Sequence, residues 1–259
     1  MNFPPSIERA KAYLDAHLAR PLNPQSIHSG PPEGPFITIS RESGTGGSSL
    51  AQMLADRFNA GNAALGATSP AWTVFDQNLV DEVLRAQHLS PQLARFMPED
   101  KVSEVESSVR EIVGLHPNLW MLVQQTNLLI RGLAIHGHAI IVGRGGNFAT
   151  AAVQHGLHIR LVGPTGFRAE NIARRLKMSV GEAAAHNRHV DAARRDYVRS
   201  IFGTDVADPD AYDLVINVTR NSPVAIVDML APLVAARSAA ADEVRAASSV
   251  GRSLQSRHA

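Results

Sequence analysis

The sequence predicts an α/β domain in which helices cover both faces of a parallel β-sheet. Three observations indicate this fold. Short apolar segments alternate with helical ones, the apolar segments lack the in-and-out alternation of half-exposed strands, and a glycine-rich turn follows the first of them. The chain has 259 residues, 44% of them hydrophobic, which is enough to bury one large core. In such doubly wound sheets, ligands bind at the C-terminal ends of the strands.

Five segments have the nearly continuous apolar sequence of buried strands. They are Phe36–Ser40, Trp72–Phe75, Ala139–Val142, His158–Val162 and Leu214–Val218. Helix starts have their own signals, either an N-cap serine before proline or a capping box. These signals occur at Ser90-Pro91, Ser222-Pro223, Ser103–Glu106 and Ser179–Glu182. The elements therefore follow one another in βα order.

Three parts of the chain depart from this alternation. Residues 1–35 predict an appendage, with an amphipathic helix over about Ser6–Arg20 and then a linker rich in proline and glycine. The main domain is predicted over 36–236. Within it, the helical block 79–136 is too long for one crossover and predicts a helical subdomain over the sheet edge. Residues 237–259, rich in Ala, Ser and Arg, predict a frayed helix or a disordered tail.

Composition and charge exclude several classes of function. A net charge of +1 argues against general nucleic-acid binding, and the lack of cysteine excludes disulfides and thiolate metal sites. No uninterrupted apolar run reaches the roughly 18 residues of a membrane span. The histidines are scattered, and the pair His186 and His189 is more typical of a solvated helix face than of a metal site. We expect a soluble cytoplasmic protein that contacts neither membrane nor nucleic acid; no oligomeric state is predicted.

The glycine-rich turn after the first strand predicts a phosphate site. A strand, a glycine turn and a helix N-terminus together direct backbone N–H groups and the positive helix end at one point. The phosphate-loop template G-x-x-x-x-G-K-[ST] is only partly met. Gly46 and Ser48 or Ser49 fill the second glycine and hydroxyl places, whereas Arg41 stands at the first glycine and Gly47 at the lysine. The turn therefore predicts phosphate binding and leaves the catalytic cation open.

Two strand ends have polar side chains that suit a ligand. Arg144 follows the third strand in a glycine-rich turn, where its guanidinium can donate two parallel hydrogen bonds to phosphate. The alternative is a tight turn with an exposed arginine. Asp76 follows the second strand and can accept a hydrogen bond from a substrate, or it can cap a helix that starts near Leu79.

Arginine is concentrated between residues 160 and 199, where nine basic side chains face four acidic ones. Four of the residues recur at helical spacing and can share a face: Arg188, Asp191, Arg194 (or Arg195) and Tyr197. One interpretation is a solvated helix with many ion pairs. The phosphate turn elsewhere in the chain favours the other, a mobile arginine-bearing lid over about 165–205.

In combination and order, these residues resemble the cytidylate kinase-like family, a branch of the P-loop nucleoside monophosphate kinases. The resemblance covers almost all of 36–236, and its matching segments are Ile39–Gly47, Phe75-Asp76, Ile141–Gly146, Arg168–Arg175, Asp191–Tyr197 and Asp208–Asn217. It implies a P-loop NTPase-type parallel sheet with flanking helices, a helical NMP-binding insertion (79–136) and an arginine-rich lid. The implied reaction transfers the γ-phosphate of ATP to a pyrimidine monophosphate such as CMP or dCMP, with Mg²⁺.

The resemblance also implies roles for single residues. Those expected around the ATP phosphates are Gly44, Thr45, Gly46, Gly47, Ser48 and Ser49, with Ser48 or Ser49 near Mg²⁺. Arg144 matches the arginine that holds the monophosphate, and Asp76 lies in the acceptor-binding region. Asp191 and Arg194 match lid residues that contact the acceptor and the transferring phosphate, and Arg188 is grouped with the acceptor-binding residues.

Three hypotheses about function remain open, and the missing lysine bears on the choice between the first two. The chain has three lysines, Lys11, Lys101 and Lys177, and none is in or beside the turn, so a replacement cation must be an arginine. We predict that Arg41 or a lid arginine supplies it. The leading hypothesis is a nucleotide kinase. The alternatives are a nucleotide-binding sensor or scaffold with little turnover, and a kinase whose acceptor is not a nucleotide.

Overall fold

A computed structural model describes residues 34–64, 70–76 and 117–255. The predicted helix at Ser6–Arg20, almost all of the linker after it, the helix starts at Ser90-Pro91 and Ser103–Glu106, and most of the block 79–136 lie outside these residues. The strands are β1 (Phe36–Arg41), β2 (Thr73–Phe75), β3 (Ala139–Val142), β4 (Gly156–Val162) and β5 (Leu214–Asn217). The helices are α1 (Gly47–Ala64), α2 (Pro117–His136), α3 (Gly146–Ala149), α4 (Thr165–Leu176), α5 (Val180–Phe202) and α6 (Pro223–Gln255), and a 3₁₀ turn spans Pro209–Ala211.

The five strands form one parallel sheet in the order β2-β3-β1-β4-β5. The predicted α/β class and all five predicted strands are confirmed, with ends that differ by two residues at most. Trp72 lies just before β2, because its backbone groups bond to a side chain. The Trp72 N–H donates to Asn59 Oδ1 at 2.7 Å, and Asn59 Nδ2 donates to the Trp72 carbonyl at 3.0 Å. Since β1 is central, its C-terminal end lies between those of β3 and β4.

The two faces of the central strands differ in polarity. Ile37 and Ile39 of β1 pack with α1 and α6 in the main hydrophobic core. Side chains alternate along a strand, so Thr38 and Ser40 lie on the other face. There Thr38 Oγ1 is 2.8 Å from His158 Nδ1, and Arg160 donates to Ser40 Oγ at 2.9 Å. A row of polar side chains thus leads along this face to the C-terminal edge of the sheet.

Both helix-start signals that lie in the described residues are confirmed. Ser179 and Glu182 form a full capping box before α5, in which Ser179 Oγ accepts from the Glu182 N–H and the Glu182 carboxylate accepts from the Ser179 N–H. The Ser179 hydroxyl also donates to the Glu182 carboxylate at 2.6 Å, and this hydrogen bond, together with the one from the Ser179 N–H, lowers the pKa of Glu182. At the other start, Ser222 Oγ accepts from the Ala225 N–H at 3.2 Å. The α4–α5 pair, Thr165–Phe202, is called the lid hairpin below.

Helix α6 runs through the boundary that the sequence predicts after residue 236 and ends at Gln255. The predicted tail is helical here because alanine, its main component, has the highest helix propensity. The segment Pro223–Glu243 is long and apolar enough to cross a membrane by length and composition alone. Ile226, Val227, Leu230 and Val234 of this segment are buried in the core, whereas Val224 and Met229 are exposed.

His158 makes stability depend on pH in a predictable direction. Burial lowers the pKa of His158 from its ordinary 6.5; Asp213 opposes the shift and Arg237 adds to it. The unfolded chain therefore binds more protons, and the free energy of unfolding falls as the pH drops below 6.5. We expect the free energy of unfolding to fall less between about pH 7.5 and about pH 5.5 in His158→Gln than in the wild-type protein, as measured by urea denaturation at both pH values. His186→Gln, on α5 away from the sheet, is the control, and equal decreases in wild type and His158→Gln would contradict the prediction.

Candidate active site

The glycine turn lies between β1 and the N-terminus of α1, as the sequence predicts. Gly44 and Gly46 have φ angles of +85° and +81°, which side chains rarely adopt. Gly44 also has no room for a side chain, because a Cβ there would lie 2.4 Å from the Arg168 carbonyl oxygen. The first turn of α1 has no acidic residue, and Ser48 and Ser49 are exposed there. The turn can therefore bind an anion at the helix end.

The lid hairpin holds this turn through Arg168, which is 8% exposed. Its guanidinium donates to Ser43 O at 3.0 Å, to Gly163 O at 2.9 Å and to Asp191 Oδ2 at 2.6 Å. It also lies 3.4 Å from Glu42 Oε2. No separate role for Arg168 could be predicted from the sequence, because nothing distinguishes it from the nearby arginines. In the structure it is the cation that joins the turn to both helices of the hairpin.

Asp191 completes the contact from α5. Its Oδ1 accepts the Ser43 N–H at 2.7 Å and lies 3.7 Å from Arg194 Nη1. Arg194 in turn donates to the Arg41 carbonyl at 3.2 Å. The two predicted lid residues therefore contact the end of β1 and the start of the turn directly.

Arg41 lies over the position at which the sequence lacks a lysine. A Cβ at Gly47 would lie 3.1 Å from Arg41 Cγ and 3.5 Å from Arg41 Cδ. The aliphatic part of Arg41 thus occupies the space where a side chain at residue 47 would begin.

A cavity of about 180 Å³ opens between the sheet edge and α5. Its walls come from the end of β1, the turn at residues 143–147, β4, α5 and residues 205–207. In the described part of the chain, five arginines line it, against three carboxylates: Arg41, Arg144, Arg160, Arg194 and Arg195 against Glu42, Asp191 and Asp205. The cavity therefore suits a small anionic ligand.

Arg144 belongs to a left-handed turn that follows β3. Gly143, Arg144 and Gly145 have φ angles of +82°, +56° and +63°, and the Gly143 N–H donates to Ile39 O at 3.0 Å. Arg144 is only 1% exposed, so the alternative of an exposed arginine in a tight turn does not apply. At Gly145 a Cβ would lie 2.3 Å from the Phe202 ring, so glycine is needed for the close packing of α5.

The structure brings most of the predicted site residues together. Arg41, Arg144, Asp191 and Arg194 line the same cavity. The six turn residues follow the lining residue Glu42 closely in the chain but are not part of the lining: Gly44, Thr45, Gly46, Gly47, Ser48 and Ser49. Two others are not in its wall as far as the described residues define it. Asp76 directly follows β2, and Arg188 is exposed on α5. Arg160 is a lining residue to which the sequence analysis gave no role.

Comparison with known proteins decides the family. The model of the cytidylate kinase-like family matches residues 36–220. The chain belongs to this family. The match begins at β1 and includes the glycine turn, the Arg144 turn and the lid hairpin, so the whole candidate site lies within it. Family membership supports a nucleotide kinase-like function of the phosphotransferase class, and the sheet with its flanking helices is of the P-loop type.

One solved structure is similar in fold. An uncharacterized protein from Eubacterium ventriosum ATCC 27560 is 18% identical with a TM-score of 0.55, over 78% of this chain and 98% of that protein. A gluconokinase from Sinorhizobium meliloti 1021 is 11% identical, over 82% of this chain and 94% of that protein, with a TM-score of 0.37 that is too low to support an argument. Among curated proteins, none matches the sequence significantly.

Proposed function

We propose that this member of the cytidylate kinase-like family transfers the γ-phosphate of ATP to a nucleoside monophosphate, with CMP or dCMP as the acceptor, in the cytoplasm. The observation that carries the proposal is the cavity lined by arginines at the sheet edge, next to a glycine turn and a helix N-terminus. Phosphoryl transfer requires mainly alignment of the two reactants and cations around the phosphate oxygens. Arg144, Arg194 and Arg41 meet the second requirement.

The residues of the turn fit a nucleotide triphosphate. The positive-φ conformation at Gly44 and Gly46 and the uncompensated N-terminus of α1 suit phosphate oxygens, and the Ser48 or Ser49 hydroxyl suits a phosphate-bound Mg²⁺. When bound, MgATP supplies the phosphoryl group and neutralises part of its charge. The protein's part is to orient both phosphates and to exclude water beneath the lid hairpin.

We assign the place of the missing lysine to Arg41. The packing of its stem over Gly47 supports this assignment, as does its position in the cavity wall. From there, its guanidinium can reach the phosphate that crosses from the turn to the cavity. Asp191 orients the turn through Ser43, and Arg194 orients the Arg41 backbone.

One contact favours a second candidate function. The Ser43 N–H belongs to the turn expected to surround phosphate, yet it donates to the Asp191 carboxylate. With this N–H engaged, the turn has one donor fewer to stabilise charge on a transferring phosphate, so turnover would be slower. That arrangement suits a nucleotide-binding sensor or scaffold.

An acceptor panel separates the candidates. ADP formation should be measured with ATP and each of CMP, dCMP, UMP, AMP and GMP, together with gluconate as a non-nucleotide acceptor, with and without Mg²⁺. We expect Mg²⁺-dependent ADP formation that is fastest with CMP or dCMP. ATP binding without ADP formation would favour the sensor, turnover with gluconate alone would reassign the acceptor, and failure to bind ATP would exclude both functions.

A further inference from the structure

Arg160 is a buried cation in the cavity wall, and no carboxylate among the described residues pairs with it. It lies on β4 opposite Ser40 of β1 and is 8% exposed. Its Nη1 donates to Ser40 Oγ at 2.9 Å, and its guanidinium carbon is 5.8 Å from the centre of the Tyr212 ring. In the described residues it makes no ion pair. A buried charge without a counterion is unfavourable, so its position calls for an anion.

A chain of hydroxyl groups fixes the orientation of this guanidinium. Tyr212 Oη donates to Val206 O at 2.7 Å and lies 3.1 Å from Ser40 Oγ. Because the single hydroxyl proton of Tyr212 is used at Val206, the Ser40 hydroxyl can donate to Tyr212 while it accepts from Arg160. Arginine has five N–H donors, and Ser40 takes one of them. The others are available to a ligand in the cavity that Arg160 lines.

The neighbouring carboxylates are engaged elsewhere. Glu42 and Asp191, which also line the cavity, lie against Arg168 at 3.4 Å and 2.6 Å. The third lining carboxylate, Asp205, accepts the Ala207 N–H at 2.8 Å. Arg160 and Arg144 line the cavity together, and two planar guanidinium groups match the oxygens of a phosphate better than those of a neutral ligand. The turn residues 44–49 do not line this cavity. An anion bound beside Arg160 would therefore lie outside the turn that is expected to surround the ATP phosphates.

We propose that Arg160, oriented by Ser40 and Tyr212, binds the phosphate of the acceptor. This inference rests on the proposed kinase function. It adds a specificity-determining residue, because an acceptor without a phosphate leaves the Arg160 charge buried and unmatched.

The test compares Arg160→Gln with the wild-type protein and with Arg220→Gln, which removes the same charge at an exposed position in the turn after β5. Affinities for CMP, cytidine, inorganic phosphate and ATP are measured by calorimetry, with thermal unfolding as the folding check. We expect Arg160→Gln to lower the affinities for CMP and inorganic phosphate at least about tenfold, whereas the affinities for cytidine and ATP stay unchanged. In steady-state kinetics of Arg160→Gln, the KM for CMP should rise and the KM for ATP should stay unchanged.

Each other outcome has a defined meaning. Equal loss of CMP and cytidine affinity, or no loss of phosphate affinity, would overturn the proposal and leave Arg160 as a packing partner of Tyr212. If the wild-type protein binds phosphate through Arg160 but no nucleoside monophosphate, the Arg160 site stands and the proposed acceptor is wrong. If Arg160→Gln does not fold, Arg160→Lys is tested in its place. Lysine keeps the positive charge but lacks the two parallel N–H donors of a guanidinium, so phosphate binding should still weaken at least about threefold. Unchanged phosphate affinity in Arg160→Lys would then overturn the proposal.

Discussion

Arg41→Ala should lower the turnover number for ADP formation at least about tenfold while the affinities for ATP and CMP change little. In the proposed mechanism, Arg41 provides the positive charge that a phosphate loop takes from lysine, and that charge matters most in the transition state. The measurement is steady-state kinetics with both substrates varied. An unchanged turnover number would show that Arg41 does not act as this cation.

A second substitution tests whether the position matters as well as the charge. In the double variant Arg41→Ala/Gly47→Lys, the arginine stem that crowds residue 47 at 3.1 Å is gone, and a lysine stands at its usual place in the template. We expect the double variant to recover part of the lost turnover. The single variant Gly47→Lys is the matched control, and it should gain nothing because the new side chain meets Arg41. No recovery in the double variant would contradict the replacement of lysine by Arg41.

Of the proposed substitutions, Arg168→Ala should lower the free energy of unfolding the most. The substitution leaves the Glu42 and Asp191 carboxylates without their shared cation and the Ser43 and Gly163 carbonyls without a donor. Breaking a buried ion pair destabilises by about 3–5 kcal/mol, and since both carboxylates are partly exposed we expect the lower end of that range. Urea denaturation measures the difference.

The matched control for Arg168 is Arg175→Ala, which removes an exposed arginine from the same helix. It should change the free energy of unfolding by no more than about 0.5 kcal/mol. If the two variants unfold at the same urea concentration, Arg168 does not hold the turn to the lid hairpin.

The strands and the glycine turn could be predicted because each depends on local sequence. A continuous apolar run such as Ala139–Val142 suits a strand that is covered on both faces, whichever way its side chains point. The φ angles near +80° at Gly44 and Gly46 favour glycine, so the turn leaves a signal in the sequence. The C-terminal end of the last helix could not be predicted in this way. The alanine-rich sequence after residue 236 has no apolar stripe, but its helix propensity extends α6 across that point.

The contacts within the site depend on residues far apart in the chain. Asp191 meets Ser43 across 148 residues, and Arg160 meets Ser40 across 120. A basic segment indicates that some arginines bind phosphate, but only the strand order brings β4 next to β1 and so places Arg160 in the cavity. Similarly, helical spacing predicts one face for Arg188, Asp191 and Arg194. Arg188 is nevertheless exposed, because positions six residues apart on a helix differ by about 120° around its axis.

The central claim is that the protein moves a phosphoryl group although its phosphate loop lacks lysine. Single-turnover transfer tests it most directly, with the protein in excess over γ-labelled ATP and with CMP and Mg²⁺ present, because this measurement detects even slow chemistry. We predict that the label passes from ATP to CMP in equal amounts with the ADP formed, and that Arg41→Ala slows the transfer. ATP that stays bound and intact with every nucleoside monophosphate would contradict the account.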